Sequence, residues 1–570
     1  MMKGTSASPG IAIGKALLLK DEMPVVEKIS IESPQIEKDK FATALTSAKA
    51  ELAKIRDKAK VEMGADKAAI FEAHLMLLED PEMISGTESK IDQDMVNAEY
   101  AFNEVINQFI AIFESMDNDY MRERAADLRD VSTRVIKNVM GIKSVDLSAL
   151  DEEVVLIAHD LTPSETAMMD KEKVVGFITN IGGRTSHTAI MARSLEIPAV
   201  VGLGNITEAA IDVDMVAING DSGEVILSPD AAQLETYMNL KSEYETMKNA
   251  LKELTGQDSV TLDGVGVELA GNIGTPKDVK GLIKNDAEGV GLYRTEFIYM
   301  DRDTLPTEEE QFESYKKVLE SMNQKPVVIR TLDVGGDKNL SYLKIDEEMN
   351  PFLGYRAIRL CLDEVEIFKT QLRALLRASV YGQLKIMFPM ISSLEELKAA
   401  KAILEAVKVD LTAEGLAYSD DIQVGMMIEV PSAAINSDIL AKHVDFFSIG
   451  TNDLIQYTCA VDRMNEKIHK LYNPFNPAVL RLIKMVIENG HKEGIWVGMC
   501  GEMAGDERMI PILLGLGLDE FSMSPISILP ARKLIRSLSA EAMKRYADEV
   551  LSLDSAEAIE AFIAEKAIKA

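Results

Sequence analysis

From about residue 258 to residue 570, short β-type runs alternate with helical patterns, and this alternation constrains the chain more than any other feature. Eight strands are predicted: Val267–Asn272, Gly289–Thr295, Val327–Leu332, Leu384–Pro389, Val424–Val430, Phe446–Gly450, Trp496–Met499 and Glu520–Met523. Eight strand-then-helix units in about 310 residues is the arithmetic of a (β/α)8 TIM barrel. At roughly 150 residues per domain, a chain this long suggests three or four domains, fewer with a barrel among them.

The rest of the chain divides by texture. Residues 1–30 read as one strand and its turns. Residues 31–143 read as about four helices in long hairpins, because Phe102, Ile106, Phe109 and Phe113 share one helical face. Phe71, Leu75 and Leu78 form a similar stripe, and Pro81 follows as a stop. Residues 144–230 alternate again, with β-type runs at Val154–Ile157, Val174–Ile178, Ala199–Val201 and Val225–Leu227. The early strand is expected to join these runs. Residues 1–30 and 144–230 then form one α/β domain with the helical region inserted in it. Residues 231–257 read as a connecting helix and 258–570 as the barrel domain.

Charge narrows the range of partners. Lysine and arginine total 61 against 93 aspartates and glutamates, a net charge of −32. That excess disfavours nucleic acid and anionic membranes, and repels an anionic substrate unless a site reverses the field locally. Residues 62–119 hold fourteen acids and two bases, Lys67 and Lys90, and Met76 and Leu77 lie off the apolar stripe there. This is either a solvated helical face or a docking surface for a small basic protein. Cys361, Cys459 and Cys500 are too few and too scattered for a disulfide framework or a structural zinc site. No run near 18 apolar residues predicts a membrane span, and the cytoplasm is the expected compartment.

In a (β/α)8 barrel, residues at the C-terminal ends of strands face the active site. Read in order, these are Arg294, Arg330, Glu429, Asn452 with Asp453, and Cys500, with Arg463 ten residues after Asp453. Guanidiniums suit bidentate recognition of carboxylate and phosphate. Two carboxylates beside a phosphate site suit Mg²⁺, a hard ion that shares its oxygen ligands with substrate. The predicted ligand is a small phosphorylated carboxylate bridged by Mg²⁺; the competing reading pairs the arginines with rim acids for structure. Cys500 is equally open to reading as a buried small apolar residue.

A second constellation, Gly182-Gly183-Arg184-Thr185-Ser186-His187-Thr188, follows a strand and opens a helix. The helix N-terminus favours a negative group arriving at His187, whose imidazole can act as a nucleophile toward phosphorus.

The segment GGRTSHTAIMAR resembles the phosphohistidine signature of the phosphoenolpyruvate-utilizing enzymes, and DFFSIGTNDLIQYTCAVDR (445–463) resembles their second signature. The order of parts is similar to that of the Enzyme I family of the bacterial sugar phosphotransferase system. The resemblance implies an enzyme that transfers the phosphoryl group of phosphoenolpyruvate to His187, releases pyruvate, and passes the group to a histidine of the carrier protein HPr. It implies Mg²⁺ ligation by Glu429 and Asp453, and substrate contacts from Arg294, Arg330, Asn452, Asp453 and Arg463. Arg356 and Lys338 are implied as further site residues, Cys500 as the acid protonating the enolate carbon, and Thr166 as a residue orienting His187. It also implies a swinging phosphohistidine domain and a homodimer formed through the barrel. Phosphoenolpyruvate synthase and pyruvate phosphate dikinase share the chemistry but carry a large ATP-grasp domain before the phosphohistidine domain, whereas only about 145 residues, helical and without an evident nucleotide loop, precede it here. A Mg²⁺-dependent barrel lyase, the other alternative, needs neither His187 nor the helical insertion.

Overall fold

A computed structural model describes residues 2–19, 26–62, 65–115, 119–142, 147, 150–170, 172–183, 186–195, 197–300, 302–336, 340, 342–343, 348–463, 465, 467–566 and 568. The chain divides into two compact units, Met1–Lys248 and Asn249–Ala570.

The first unit is built on an eight-stranded sheet. Its strands are β1 (Met2–Lys3), β2 (Thr5–Ser8), β3 (Ile11–Leu18), β4 (Val154–Ala158), β5 (Val174–Thr179), β6 (Ala199–Val201), β7 (Met215–Asn219) and β8 (Glu224–Leu227). They lie in the order β1-β8-β7-β3-β4-β5-β6-β2. Strand β4 (VVLIA) is buried along its whole length, as a parallel strand covered on both faces must be. Leu156 packs with Phe177 and Val201 on one face, and Val155 and Ile157 with Ile178 and Val200 on the other. β3 pairs parallel with β4, setting Lys15 opposite Val154, so the entire helical region is an insertion between neighbouring strands. The short, polar β1 and β2 carry no sequence signal strong enough to predict, whereas β7 holds the apolar run Met215 to Ile218 and is an omission of the sequence reading; the three pair with β8, β6 and β3.

The insertion holds five helices among the described residues, not four: Pro34–Glu62, Ala65–Leu77, Pro81–Asp94, Ala98–Ser115 and Asp119–Met140. Pro81 is the reason. The Asp80 carboxylate accepts from the backbone N–H groups of Glu82 and Met83, and Pro81 occupies the first turn, so this pair starts a helix rather than only stopping one. Phe41, Phe71, Phe102, Ile106 and Val135 form the bundle core. Met76 is 73% exposed, whereas Leu77 packs partly against that core. Helix Ala231–Lys252 follows β8 and packs Tyr237 on Ile11, Ala217 and Ile226.

The second unit is the expected barrel. Strands β9 (Glu268–Ile273), β10 (Gly289–Arg294), β11 (Pro326–Arg330), β12 (Gln383–Phe388), β13 (Gln423–Ile428), β14 (Phe446–Ile449), β15 (Trp496–Met499) and β16 (Glu520–Met523) pair in parallel, and β16 closes against β9. Alternate residues point to opposite faces. Val290, Val327, Ile329 and Ile386 join the large outer core with the helices, while Leu292, Val328, Met387, Met427, Phe446 and Cys500 form a separate cluster inside the barrel. Interior space is tight. A Cβ on Gly425 would stand 2.6 Å from the Phe446 ring. Gly425→Ala is expected to lower unfolding stability by about 1–3 kcal/mol, the usual cost of overpacking, as read by chemical denaturation.

Candidate active site

The barrel brings the predicted strand-end residues to one rim. Arg294 closes β10, Arg330 closes β11, and Glu429 follows β13 directly. Asn452 and Asp453 open the helix Thr451–Cys459 after β14, and Cys500 follows β15.

Most of this rim is buried and charged. Arg330 is 5% exposed and Asp333, Arg356 and Glu429 are each 1% exposed. Arg330 pairs with Glu296 at 2.8 Å and with Asp333 at 2.9 Å. The other oxygen of Asp333 takes Arg356 at 2.8 Å, and Arg356 also lies 3.7 Å from Asp453 and donates to the Tyr457 hydroxyl at 3.2 Å. Asp333 therefore bridges two buried guanidiniums. Burial opposes the charge of Arg330, but Asp333, Glu296 and Glu429 outweigh it and raise its pKa. The structural pairing of arginines with rim acids is thus real for Arg330 and Arg356, and it presets the geometry of both groups. Arg294 is exposed, its guanidinium 5.1 Å over the Phe297 ring. Arg463 is half-buried and its backbone N–H donates to Gln456 at 3.0 Å. Asn452 accepts from the Glu502 N–H at 3.4 Å.

Two backbone outliers hold rim groups. Ala357, next to Arg356, has φ 53°, and Met390 has φ 56°. The Met390 N–H donates to Glu429 at 2.6 Å. Non-glycine residues in this region cost about 1–3 kcal/mol and persist where the surroundings over-determine them. Gly335 (φ +109°) is needed for close approach: a Cβ there would lie 2.5 Å from Arg356 Cβ.

The acids suit a hard cation. Burial, reinforced by Asp453 and Asp333, pushes Glu429 up to about 8 against the pull of Arg330 and Arg356. Asp453 Oδ1 is buried without a hydrogen-bond donor. Among the described residues no three His, Cys, Asp or Glu side chains gather as ligands, so a cation held by Glu429 and Asp453 must draw further oxygens from substrate or water. Cys500 lies beneath, 6% exposed, and burial pushes its thiol up to about 12.

In the first unit, His187 is the first residue of the helix His187–Leu195, after a turn in which Gly182 has φ +117°. The side chain of His187, with Arg184 and Thr185, lies outside the described residues, as does Lys338. Thr166 is buried in the helix Pro163–Met168, which Thr162 and Glu165 cap reciprocally, and its hydroxyl donates to the Thr162 carbonyl at 3.1 Å. Thr188 ties the helix His187–Leu195 to Asp160 at 2.8 Å.

Glu296, Asp333 and Tyr457 were not singled out by sequence reasoning. The first two sit two and three residues beyond predicted strand-end arginines, which was the available signal. Tyr457, which donates to the Phe352 carbonyl at 2.5 Å, carries none.

The fold and its two sites define a class, the phosphoenolpyruvate-utilising enzymes. Models of that class match in three parts: the N-terminal part over residues 3–124, the mobile domain over 150–223 and the PEP-binding domain over 248–540. A relative from Staphylococcus carnosus (strain TM300), phosphoenolpyruvate-protein phosphotransferase, is 57% identical over 98% of this chain and 97% of its own. The protein of that name from Bacillus subtilis (strain 168) is 57% identical over 99% of both chains. A solution structure of Enzyme I (nEIt) is 53% identical, covers 43% of this chain and all of its own, and has a TM-score of 0.39. The chain belongs to the phosphoenolpyruvate-protein phosphotransferase family and is an enzyme. Among the described residues no helix is long and apolar enough to cross a membrane.

Proposed function

We propose that the barrel rim binds phosphoenolpyruvate and that His187 takes its phosphoryl group and hands it to a histidine of HPr. Family membership makes the chain a phosphoenolpyruvate-dependent phosphotransferase of the sugar phosphotransferase system. The observation that supports the site assignment is the Arg330–Asp333–Arg356 bridge, in which the strand-end Arg330 and the loop residue Arg356 are two buried, permanently charged guanidiniums on one carboxylate.

In this reading Arg294, Arg330, Arg356, Arg463 and Asn452 grip the phosphate and carboxylate, with Lys338 beside them. Positioning and charge neutralisation dominate phosphoryl transfer, so preset guanidiniums serve it directly. Glu429 and Asp453 hold Mg²⁺, whose positive charge would offset that of the substrate's phosphate. Cys500, neutral at physiological pH, protonates the enolate carbon and pyruvate leaves. Thr166 orients His187. The domains are 1–30 with 144–230 for phosphohistidine, 31–143 for HPr docking, 231–257 as connector, and 258–570 for substrate and homodimerisation. The protein works in the cytoplasm. Because the imidazole has to come within about 3 Å of phosphorus and later meet HPr, the phosphohistidine domain swings about the connector. Fixing that domain to the barrel by a crosslink is expected to stop HPr phosphorylation; unimpaired transfer would refute the swing.

The test is to incubate the protein with ³²P-phosphoenolpyruvate and Mg²⁺ without nucleotide. Acid-labile, base-stable label is expected on the parent protein and none on His187→Ala. An unlabelled parent protein would overturn the reading. A chelator is expected to abolish labelling and added Mg²⁺ to restore it; labelling that survives chelation would remove the metal from Glu429 and Asp453.

A further inference from the structure

We propose that Glu520 returns a proton to Cys500 after each turnover, through Ser448, and is itself refilled through Glu268 at the foot of the barrel. The proposal rests on the reading of Cys500 as the acid for the enolate.

Cys500 clusters inside the barrel with Leu292, Val328, Met387, Met427 and Phe446, and the Arg330 guanidinium reaches Met427 of that cluster at 3.8 Å. A thiolate left among these side chains is costly and requires a nearby proton donor. Strand register supplies one. Ser448 of β14 stands opposite Gly498 of β15, Gly498 opposite Glu520 of β16, and Glu520 opposite Glu268 of β9. Cys500 is two residues above Gly498 and so projects from the same face of β15. Gly498 has no side chain, and the Glu520 carboxyl fills that space; a Cβ on Gly498 or on Gly291 would overlap a Glu520 oxygen. Glu520 is 3% exposed, and its Oε2 is buried with no hydrogen-bond partner. Glu268 is half-buried at the first position of β9, the foot of the barrel.

The surrounding charges suit a proton store. Burial, and then the Glu268 carboxylate, hold Glu520 well above the usual carboxylate range, against the pull of Lys385. Burial likewise raises Glu268, with Lys385 opposing and Glu288 adding to it. Lys385 of β12 sits 4.2 Å over the Trp496 ring. From β14, the Ser448 hydroxyl is buried with no hydrogen-bond partner of its own, the Cys500 thiol faces the Ile449 carbonyl at 3.9 Å, and Glu520 raises the thiol pKa. The relay balances as follows. The enolate carbon takes the thiol proton, leaving pyruvate and a thiolate. The Ser448 hydroxyl gives its proton to the thiolate and takes the carboxyl proton of Glu520. The Glu520 carboxylate regains a proton from water by way of Glu268. Glu520 thus acts through Cys500 and touches no substrate.

The test follows pyruvate release by rapid mixing, with Mg²⁺, phosphoenolpyruvate and excess HPr. Glu520→Gln keeps the volume but carries no dissociable proton. Its first turnover is expected at the parent rate, because Cys500 starts protonated. A burst of one pyruvate per subunit is then followed by turnover slower by about tenfold or more, the scale of a lost proton-transfer group. Transfer of ³²P from labelled enzyme to HPr, measured separately, is expected to be unchanged. Linear progress at the parent rate would overturn the relay, whereas a purely structural role would lower the melting temperature without producing a burst. Should Glu520→Gln not fold, Glu268→Gln decides by the same burst. Cys500→Ala separates the two ideas: normal pyruvate formation there overturns the underlying reading, while its loss alongside a linear Glu520→Gln overturns only the relay.

Discussion

Replacing Asp333 by alanine is expected to lower kcat/KM for phosphoenolpyruvate about a hundredfold, the penalty for displacing a reacting geometry by about 1 Å. It is also expected to cost about 3–5 kcal/mol of unfolding stability, because removing one partner of a buried ion pair leaves charge uncompensated. Asp333 accepts Arg330 at 2.9 Å on one oxygen and Arg356 at 2.8 Å on the other. The loss falls mainly on Arg356: Arg330 retains Glu296 at 2.8 Å, while Arg356 retains Asp453 only at 3.7 Å. Asp333→Asn keeps the shape and one accepting oxygen, so its kinetic loss is expected to be smaller than that of alanine. The checks are steady-state kinetics beside chemical denaturation. If Asp333→Ala unfolds more easily but the folded fraction keeps the parent kcat/KM, the bridge is structural only.

Cys500→Ala is expected to slow pyruvate formation by about 10²–10⁴-fold, the range for losing a positioned general acid. Exchange of the phosphoryl group between His187 and HPr, a step without carbon protonation, is expected to stay at the parent rate. Burial pushes the thiol up to about 12, so the group is a neutral donor throughout the physiological range. The substitution removes only a sulfur, and a general fall in stability would lower both steps rather than one selectively. Equal losses in both steps would remove Cys500 from the chemistry.

The barrel was legible because each strand is a compact apolar run between helical patterns. Predicted and observed strands differ by no more than two residues at either end, from β9 (Glu268–Ile273) to β16 (Glu520–Met523). A parallel barrel buries both faces of every strand, and that composition survives in the sequence. The helical insertion was legible in kind but short by one helix, because Pro81 can end one helix or begin another and only the Asp80 cap decides. Arg294 and Arg330 could be placed at strand ends by counting. Arg356 and Lys338 could not, since they belong to loops, and they entered through the resemblance.

By itself, the order of residues determined the parts: a glycine-led histidine turn, an acidic helical region and a barrel with arginines at its strand ends. All of these are local patterns, written in neighbouring residues. The tertiary structure alone decided which charges meet. Asp333 meets Arg356 across 23 residues of the connection between β11 and β12. The Met390 N–H, at φ 56°, turns onto Glu429. Glu520 fills the space that Gly498 leaves one strand away. Such contacts depend on strand register and barrel closure, which sum interactions over the whole unit, so no window of sequence contains them.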